Sequence, residues 1–245
     1  MILELDCGNT LIKWRICELI TNTVVAQGSS CLVDDLVAAL STLSEVSISR
    51  ARLVSVRSDE QTELVCSRLS LALGIQVSRA MPTPQLGGVV NGYIEYEQLG
   101  MDRWLAIVGA YQVKGGPMLV VDLGTAVTVD LVDAQGKHLG GYICPGISLL
   151  RHLLKSHTQR IRYSEDAGVH ISELAPGCST AQAVERGCLM MLRSFVDAQI
   201  QQAPTYLGDH FEVYATGGDA ALIDDIAGVR CVPDLVFRGL AIACP

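Results

Sequence analysis

The 245-residue sequence has no excess of basic residues: 26 acidic residues stand against 18 lysines and arginines, giving a net charge of −8 and a pI near 5.1. A general nucleic-acid binder needs a basic face to neutralise phosphates, so the charge argues against that class. The one basic stretch, Arg151 to Arg162, reads as a solvated helix face and loop. Charged residues are few as well, 18% against 49% hydrophobic, which allows buried cores and excludes a disordered chain. No apolar run of about 18 residues lacks a charge, so no membrane span is expected. The nine cysteines are odd in number and include no Cys-x-x-Cys pair, poor material for a disulfide framework or a zinc site. With no signal-peptide pattern ahead of the strand-like Ile2–Cys7, a reducing, cytoplasmic location is expected. The P-loop pattern and the protein-kinase motifs are also missing.

What is present is a repeat. Ile2–Cys7 and Leu11–Cys17 read as strands joined by Gly8-Asn9-Thr10, and a third strand is expected near Thr23–Gln27. A helix over Val33–Leu43, a strand over Leu53–Val56, a helix over Asp59–Leu73 and a strand over Ile75–Ser78 complete the first half. Ser58 with Gln61 forms a capping box, and Gly74 stops the helix. The pattern then returns: strands over Met118–Asp122, Ala126–Val132 and His138–Cys144, and a helix from Pro145-Gly146 to about Lys155. A helix capped by Ser179 and Gln182 follows, then a strand over Phe211–Ala215, a helix over Asp219–Ile226, a strand over Arg230–Val232 and a short terminal helix. Internal repetition outranks single motifs. The expected fold is α/β, with two similar domains of duplicated βββαβα units, residues 1–115 and 116–245, and a cleft between equivalent turns.

Each half opens on an apolar strand ending in Asp-x-Gly: Asp6-Cys7-Gly8 and Asp122-Leu123-Gly124. One such turn is ordinary turn chemistry, but two at matched places point to phosphate binding. Glycine lets the backbone approach a phosphate, and exposed turn amides and a Thr hydroxyl donate to its oxygens. A strand-end Asp suits Mg2+, held through water. Lys13 is open to two readings, a point charge for the nucleotide or a surface lysine. Thr216-Gly217-Gly218-Asp219 follows a strand and opens a helix, which faces its amides toward a ligand. Asn91-Gly92-Tyr93 and Gly100-Met101-Asp102-Arg103 lie where the halves join, and Asp102 with Arg103 reads either as a capping pair or as a base beside a cationic anchor.

In their order along the chain, the two Asp-x-Gly turns and the late Gly-Gly resemble the phosphate and adenosine motifs of the acetate and sugar kinase, heat-shock chaperone and actin superfamily, which implies two RNase H-like domains with an ATP cleft between them. With Asn91-Gly92-Tyr93, Gly100–Arg103, Gly140–Gly146 and Ser179-Thr180 added, the chain resembles type III pantothenate kinase from residue 6 to residue 219. The resemblance implies phosphorylation of pantothenate to 4′-phosphopantothenate, the first step of coenzyme A synthesis, without feedback inhibition by coenzyme A. It implies that Asp6, Cys7, Gly8, Asn9, Thr10, Leu11, Ile12 and Lys13 form the first ATP loop, with Thr125, Gly217 and Gly218 completing the nucleotide site. Asp102 is implied as the catalytic base, and Tyr93, Gly100, Met101, Arg103 and Thr180 as pantothenate-binding residues. Mg2+ with ATP at Asp6, potassium or ammonium at Asp122, and a homodimer are implied too. The competing expectations are a sugar or acid kinase of the same fold, a chaperone-like or filament ATPase, and a non-enzymatic transcription accessory factor.

Overall fold

The computed structural model describes residues 1–43, 46–163 and 175–245. The chain divides into two compact units, Met1–Lys114 with Asp234–Pro245, and Gly115–Pro233. The first contains β1 (Ile2–Cys7), β2 (Ile12–Cys17), β3 (Val24–Ser30), α1 (Val33–Ser41), β4 (Arg50–Ser55), α2 (Asp59–Leu73) and β5 (Gln76–Arg79). A short hairpin, β6 (Gln85–Leu86) and β7 (Val89–Val90), and α3 (Met101–Lys114) follow. The second unit contains β8 (Met118–Leu123), β9 (Ala126–Val132), β10 (His138–Pro145), α4 (Ile147–His157), α5 (Thr180–Gln202), α6 (Pro204–Leu207), β11 (Glu212–Thr216) and β12 (Val229–Cys231). The last helix, α7, spans Leu235–Ala243.

The two five-stranded sheets have one topology. Their orders are β3-β2-β1-β4-β5 and β10-β9-β8-β11-β12, each with an antiparallel meander on one side and parallel strands on the other. The duplicated α/β reading is therefore borne out. Strand alternation builds each core. In β1, Leu3, Leu5 and Cys7 join Leu36, Leu53, Val65 and Leu69 in one cluster with α1 and α2. Ile2, Glu4 and Asp6 project to the opposite face, which α7 and α3 cover. Both expected caps form: Ser58 Oγ accepts from Gln61 N at 3.3 Å and Ser179 Oγ from Gln182 N at 3.2 Å.

Two expectations are corrected. The segment Asp234–Pro245, read as part of the second domain, belongs to the first unit. A Cβ on Gly109 of α3 would lie 2.1 Å from the Leu235 carbonyl oxygen, and one on Gly239 of α7 2.1 Å from that of Leu105. The two backbones thus meet directly, a non-local packing that no periodicity reveals. The helix expected over Asp219–Ile226 is only a 3-10 turn, Ala220–Ile223. Arg193 Nη1 occupies the Leu222 carbonyl at 2.7 Å, and Ile226 N–H turns to Ile223 instead. A continuing α-helix would need that Leu222 carbonyl for Ile226.

Ala at Gly109 or at Gly239 should destabilise the protein by about 1–3 kcal/mol or more, because the helices must separate to admit a methyl. Urea unfolding monitored by circular dichroism would measure the loss; an unchanged midpoint would contradict the close approach.

Candidate active site

In the first unit, β1 lies between β2 and β4, and its C-terminal end carries the first Asp-x-Gly turn. Asp6 stands directly across from Lys13 in the antiparallel register, so the two side chains share a face. Gly8 is partly exposed, and Asn9, Thr10 and Leu11 are exposed, which leaves the turn open to a ligand. The side chains of Cys7 and Ile12 go the other way, into the core. Only their backbone faces the turn.

The first turn of α3 approaches the same strand end. Desolvation pushes the Asp6 carboxyl up to about 6; Lys13 opposes the rise, and the negative charge of Asp102 adds to it. Asp102 is therefore a near neighbour of Asp6. Its Oδ1 accepts the Arg103 backbone N–H at 2.8 Å. A Cβ on Gly100 would sit 2.8 Å from that oxygen, so glycine leaves room for the carboxylate to fold back. Arg103 is buried and its Nη1 donates to Tyr93 Oη at 2.8 Å. Tyr93 is set in turn by Asn91, whose Oδ1 accepts its N–H at 3.0 Å while Nδ2 donates to the Tyr96 carbonyl. Tyr93, Gly100, Asp102 and Arg103 are thus brought together beside Asp6. Met101 points inward and supports α3 from the core. Arg57, which no local pattern in the sequence marks, also reaches this loop: its Nε donates to the Gly8 carbonyl at 2.8 Å.

The second unit gathers its own set. Asp122 ends β8 with its neighbour Leu123, and Gly124 N–H closes the turn onto the Ala126 carbonyl at 3.0 Å. Gly146 N–H donates to the Thr125 carbonyl, and a Cβ there would lie 2.2 Å from the Gly124 oxygen. Gly217, at φ +96°, passes over the same place: its Cβ would lie 2.3 Å from the Leu123 carbonyl oxygen and 2.5 Å from Asp122 Oδ1. Asp219 N–H then bonds the Leu123 carbonyl at 3.0 Å. Asp122, Gly124, Thr125, Gly146 and Gly217–Gly218 therefore converge, although they are far apart in sequence. Thr180 stands apart from this set in the hydrogen-bond pattern, exposed at the start of α5.

The family model for type III pantothenate kinase matches residues 2–202, which includes both Asp-x-Gly turns and the Tyr93–Arg103 cluster. The type III pantothenate kinases of Pseudomonas syringae pv. syringae (strain B728a) and Ectopseudomonas mendocina (strain ymp) are each 53% identical over 247 residues, covering 100% of this chain and 99% of theirs. This chain belongs to the type III pantothenate kinase family. The fold alone is shared with a ROK family glucokinase from Streptomyces griseus, solved with glucose and AMPPNP, at a TM-score of 0.57 and 16% identity over 99% of this chain and 97% of that one.

Within this family member, the burial of Cys7 decides its reactivity. Desolvation, reinforced by the charge of Asp6, pushes the thiol up to about 12, while Arg57 pulls weakly the other way. The thiolate is the reactive form, so Cys7 is inert near neutral pH despite its place in the loop. Iodoacetamide at pH 8 should label exposed Cys31, Cys178 and Cys231 and spare Cys7 in the native protein, as read by peptide mass spectrometry. Early labelling of Cys7 would overturn its burial.

Asp6 makes stability depend on pH. Its carboxyl titrates near 3.8 when unfolded and near 6 when folded, so the folded state holds the extra proton between these values. The resulting stabilisation is complete below about pH 3.8 and lost as pH rises through about 6. Asp6→Asn, which cannot ionise, should stabilise the ligand-free protein by about 1–2 kcal/mol at pH 7.5 and by little at pH 4. Denaturant midpoints at the two pH values test this; equal effects at both would refute it.

Proposed function

We propose that this chain transfers the γ-phosphoryl group of ATP to the primary hydroxyl of pantothenate, giving 4′-phosphopantothenate and ADP, the first step of coenzyme A biosynthesis. The observation that carries the reading is the position of Asp102: one short segment sets a carboxylate beside the Asp6–Lys13 loop, and the buried Arg103 bonded to a half-buried Tyr93 behind it. A kinase of this kind needs a base near the phosphates and a polar anchor for an acidic acceptor, and this cluster offers both. Family membership supports the same substrate.

The loop amides of Gly8, Asn9 and Thr10 and the charge of Lys13 hold the triphosphate, with Leu11 exposed beside them. Thr125, Gly217 and Gly218 are assigned to the nucleotide as well. Arg103 and Tyr93 orient pantothenate, with Gly100 and Thr180 lining its pocket and Met101 backing it. Asp102 takes the hydroxyl proton as the oxygen attacks the γ-phosphorus in line and the bond to the leaving ADP oxygen breaks. Positioning and charge neutralisation supply most of the rate.

Among the described residues no group of three or more His, Cys, Asp or Glu side chains could cage a metal. Mg2+ keeps several waters and takes one or two carboxylates together with phosphate oxygens. Asp6, with Asp102 near it, would hold Mg2+ through water, and the ion would neutralise charge on the phosphates. A potassium or ammonium ion fits Asp122, whose carboxylate and the Leu123 carbonyl supply oxygen donors at one spot. We assign the working form as a cytoplasmic homodimer acting without nucleic acid or membrane.

ADP release measured with and without pantothenate, in potassium, ammonium or sodium, should show turnover that requires pantothenate and is supported by potassium or ammonium. Hydrolysis independent of the acceptor would sink the assignment. Asp102→Asn should lower turnover by about 10²–10⁴-fold and leave ATP affinity nearly intact. Unchanged turnover would remove Asp102 from the mechanism.

A further inference from the structure

The turn that follows β4 carries a cation that the mechanism above does not use. The turn is tied to the end of β1, because Val56 N–H donates to the Cys7 carbonyl at 3.2 Å and Arg57 N–H to Ser55 Oγ at 3.2 Å. Arg57 Nε then donates to the Gly8 carbonyl at 2.8 Å. Among the described residues, its two terminal nitrogens have no hydrogen-bond acceptor and no carboxylate within ion-pair distance. A half-buried guanidinium is thus held at the phosphate loop by one N–H, with four donors left over. Because β1 lies between β2 and β4, Lys13 and Arg57 bracket the Gly8–Thr10 turn from its two sides.

The duplicated topology sharpens the point. Val54 stands opposite Asp6 as Thr216 stands opposite Asp122, so counting three residues on from each strand matches Arg57 with Asp219. Both residues bond the adjacent Asp-x-Gly strand end: Asp219 through its N–H to the Leu123 carbonyl, and Arg57 through its side chain to the Gly8 carbonyl. The second unit therefore places two glycines and an acid at this turn, where the first places a cation. Two carboxylates, Asp6 and Asp102, already stand at the first strand end. A site there for a polyanion gains from a second cation at the loop beside Lys13.

We propose that Arg57 is a phosphate-contacting residue of this nucleotide site, anchored through Nε on Gly8 and donating from its terminal nitrogens to non-bridging oxygens of the ATP triphosphate. The inference rests on the kinase reading above. Arginine suits the task because one fixed fork can bind backbone and phosphate together.

Isothermal titration with MgATP and no pantothenate tests the assignment in the full-length protein. Arg57→Gln should weaken ATP binding by about 10- to 100-fold. Arg57→Lys, which keeps the charge but loses the anchor, should retain most of the affinity. Pantothenate KM and thermal midpoint should stay close to those of the unaltered protein in both variants. A structural clamp would behave differently: Gln and Lys would then weaken binding alike, and that result would overturn the proposal, as would unchanged affinity in Arg57→Gln. If the variants fail to fold, phenylglyoxal labelling of the unaltered protein decides the matter by peptide mass spectrometry. ATP should protect Arg57, and labelling at the same rate with and without ATP would overturn its role. Failure of the unaltered protein to bind ATP would overturn the kinase reading and this assignment with it, whereas intact ATP binding with an indifferent Arg57 overturns this assignment alone.

Discussion

Glu4 sits in the middle of β1 with 1% of its surface exposed, and its carboxylate is held by Arg52 on β4 and Arg15 on β2. A carboxylate buried alone would cost several kcal/mol, so the strand can take this register only with both arginines in place. The same arginines then reach outward. Arg52 donates to the carbonyls of Cys244 and Ala241, where the end of α7 has acceptors to satisfy. Arg15 bonds Asp234 ahead of α7 and lies 4.6 Å from the centre of the Phe237 ring. One buried charge thus joins three strands and fastens the C-terminal helix to the sheet. The constraint also reaches the active site, because Asp6 is the next residue on that face of β1. With Glu4 committed, Asp6 must project beside α3, where Asp102 begins.

The two units share topology and differ in chemistry. Each ends its first strand on Asp-x-Gly, yet the turn beside that strand end is packed in opposite ways. In the second unit glycines press the backbone against Asp122 and Leu123, leaving no space for a side chain. In the first unit an arginine bonds the loop carbonyl and Asp6 is partly desolvated near a second carboxylate. Duplication supplies the scaffold, and divergence at equivalent turns gives each unit its own chemistry: an arginine and two neighbouring carboxylates at the first strand end, close-packed glycines around Asp122 at the second.

Much of this was legible in the sequence because it depends on local rules. Strand alternation, the Ser58 and Ser179 caps and the paired Asp-x-Gly turns each use neighbours a few residues apart, and the resulting elements form close to their expected bounds. The site cluster was readable from motif resemblance, but the reasons for its geometry were not. Gly100 matters because a Cβ would strike Asp102, and Gly146 because one would strike Gly124. Arg57 carries no motif and becomes visible only through its bond to Gly8.

The sequence by itself determined the two βββαβα repeats, their order and the family, since periodicity, caps and motif order are properties of the chain alone. Tertiary structure decided where long-range partners compete with local preference. Arg193 takes the Leu222 carbonyl and reduces an expected helix to a 3-10 turn. Gly109 and Gly239 let α7 close against α3, so the last helix joins the first unit rather than the domain that precedes it. Burial, which depends on both sheet faces being covered, set the chemistry of the first loop, turning Cys7 into an inert core residue and raising the Asp6 carboxyl beside Asp102.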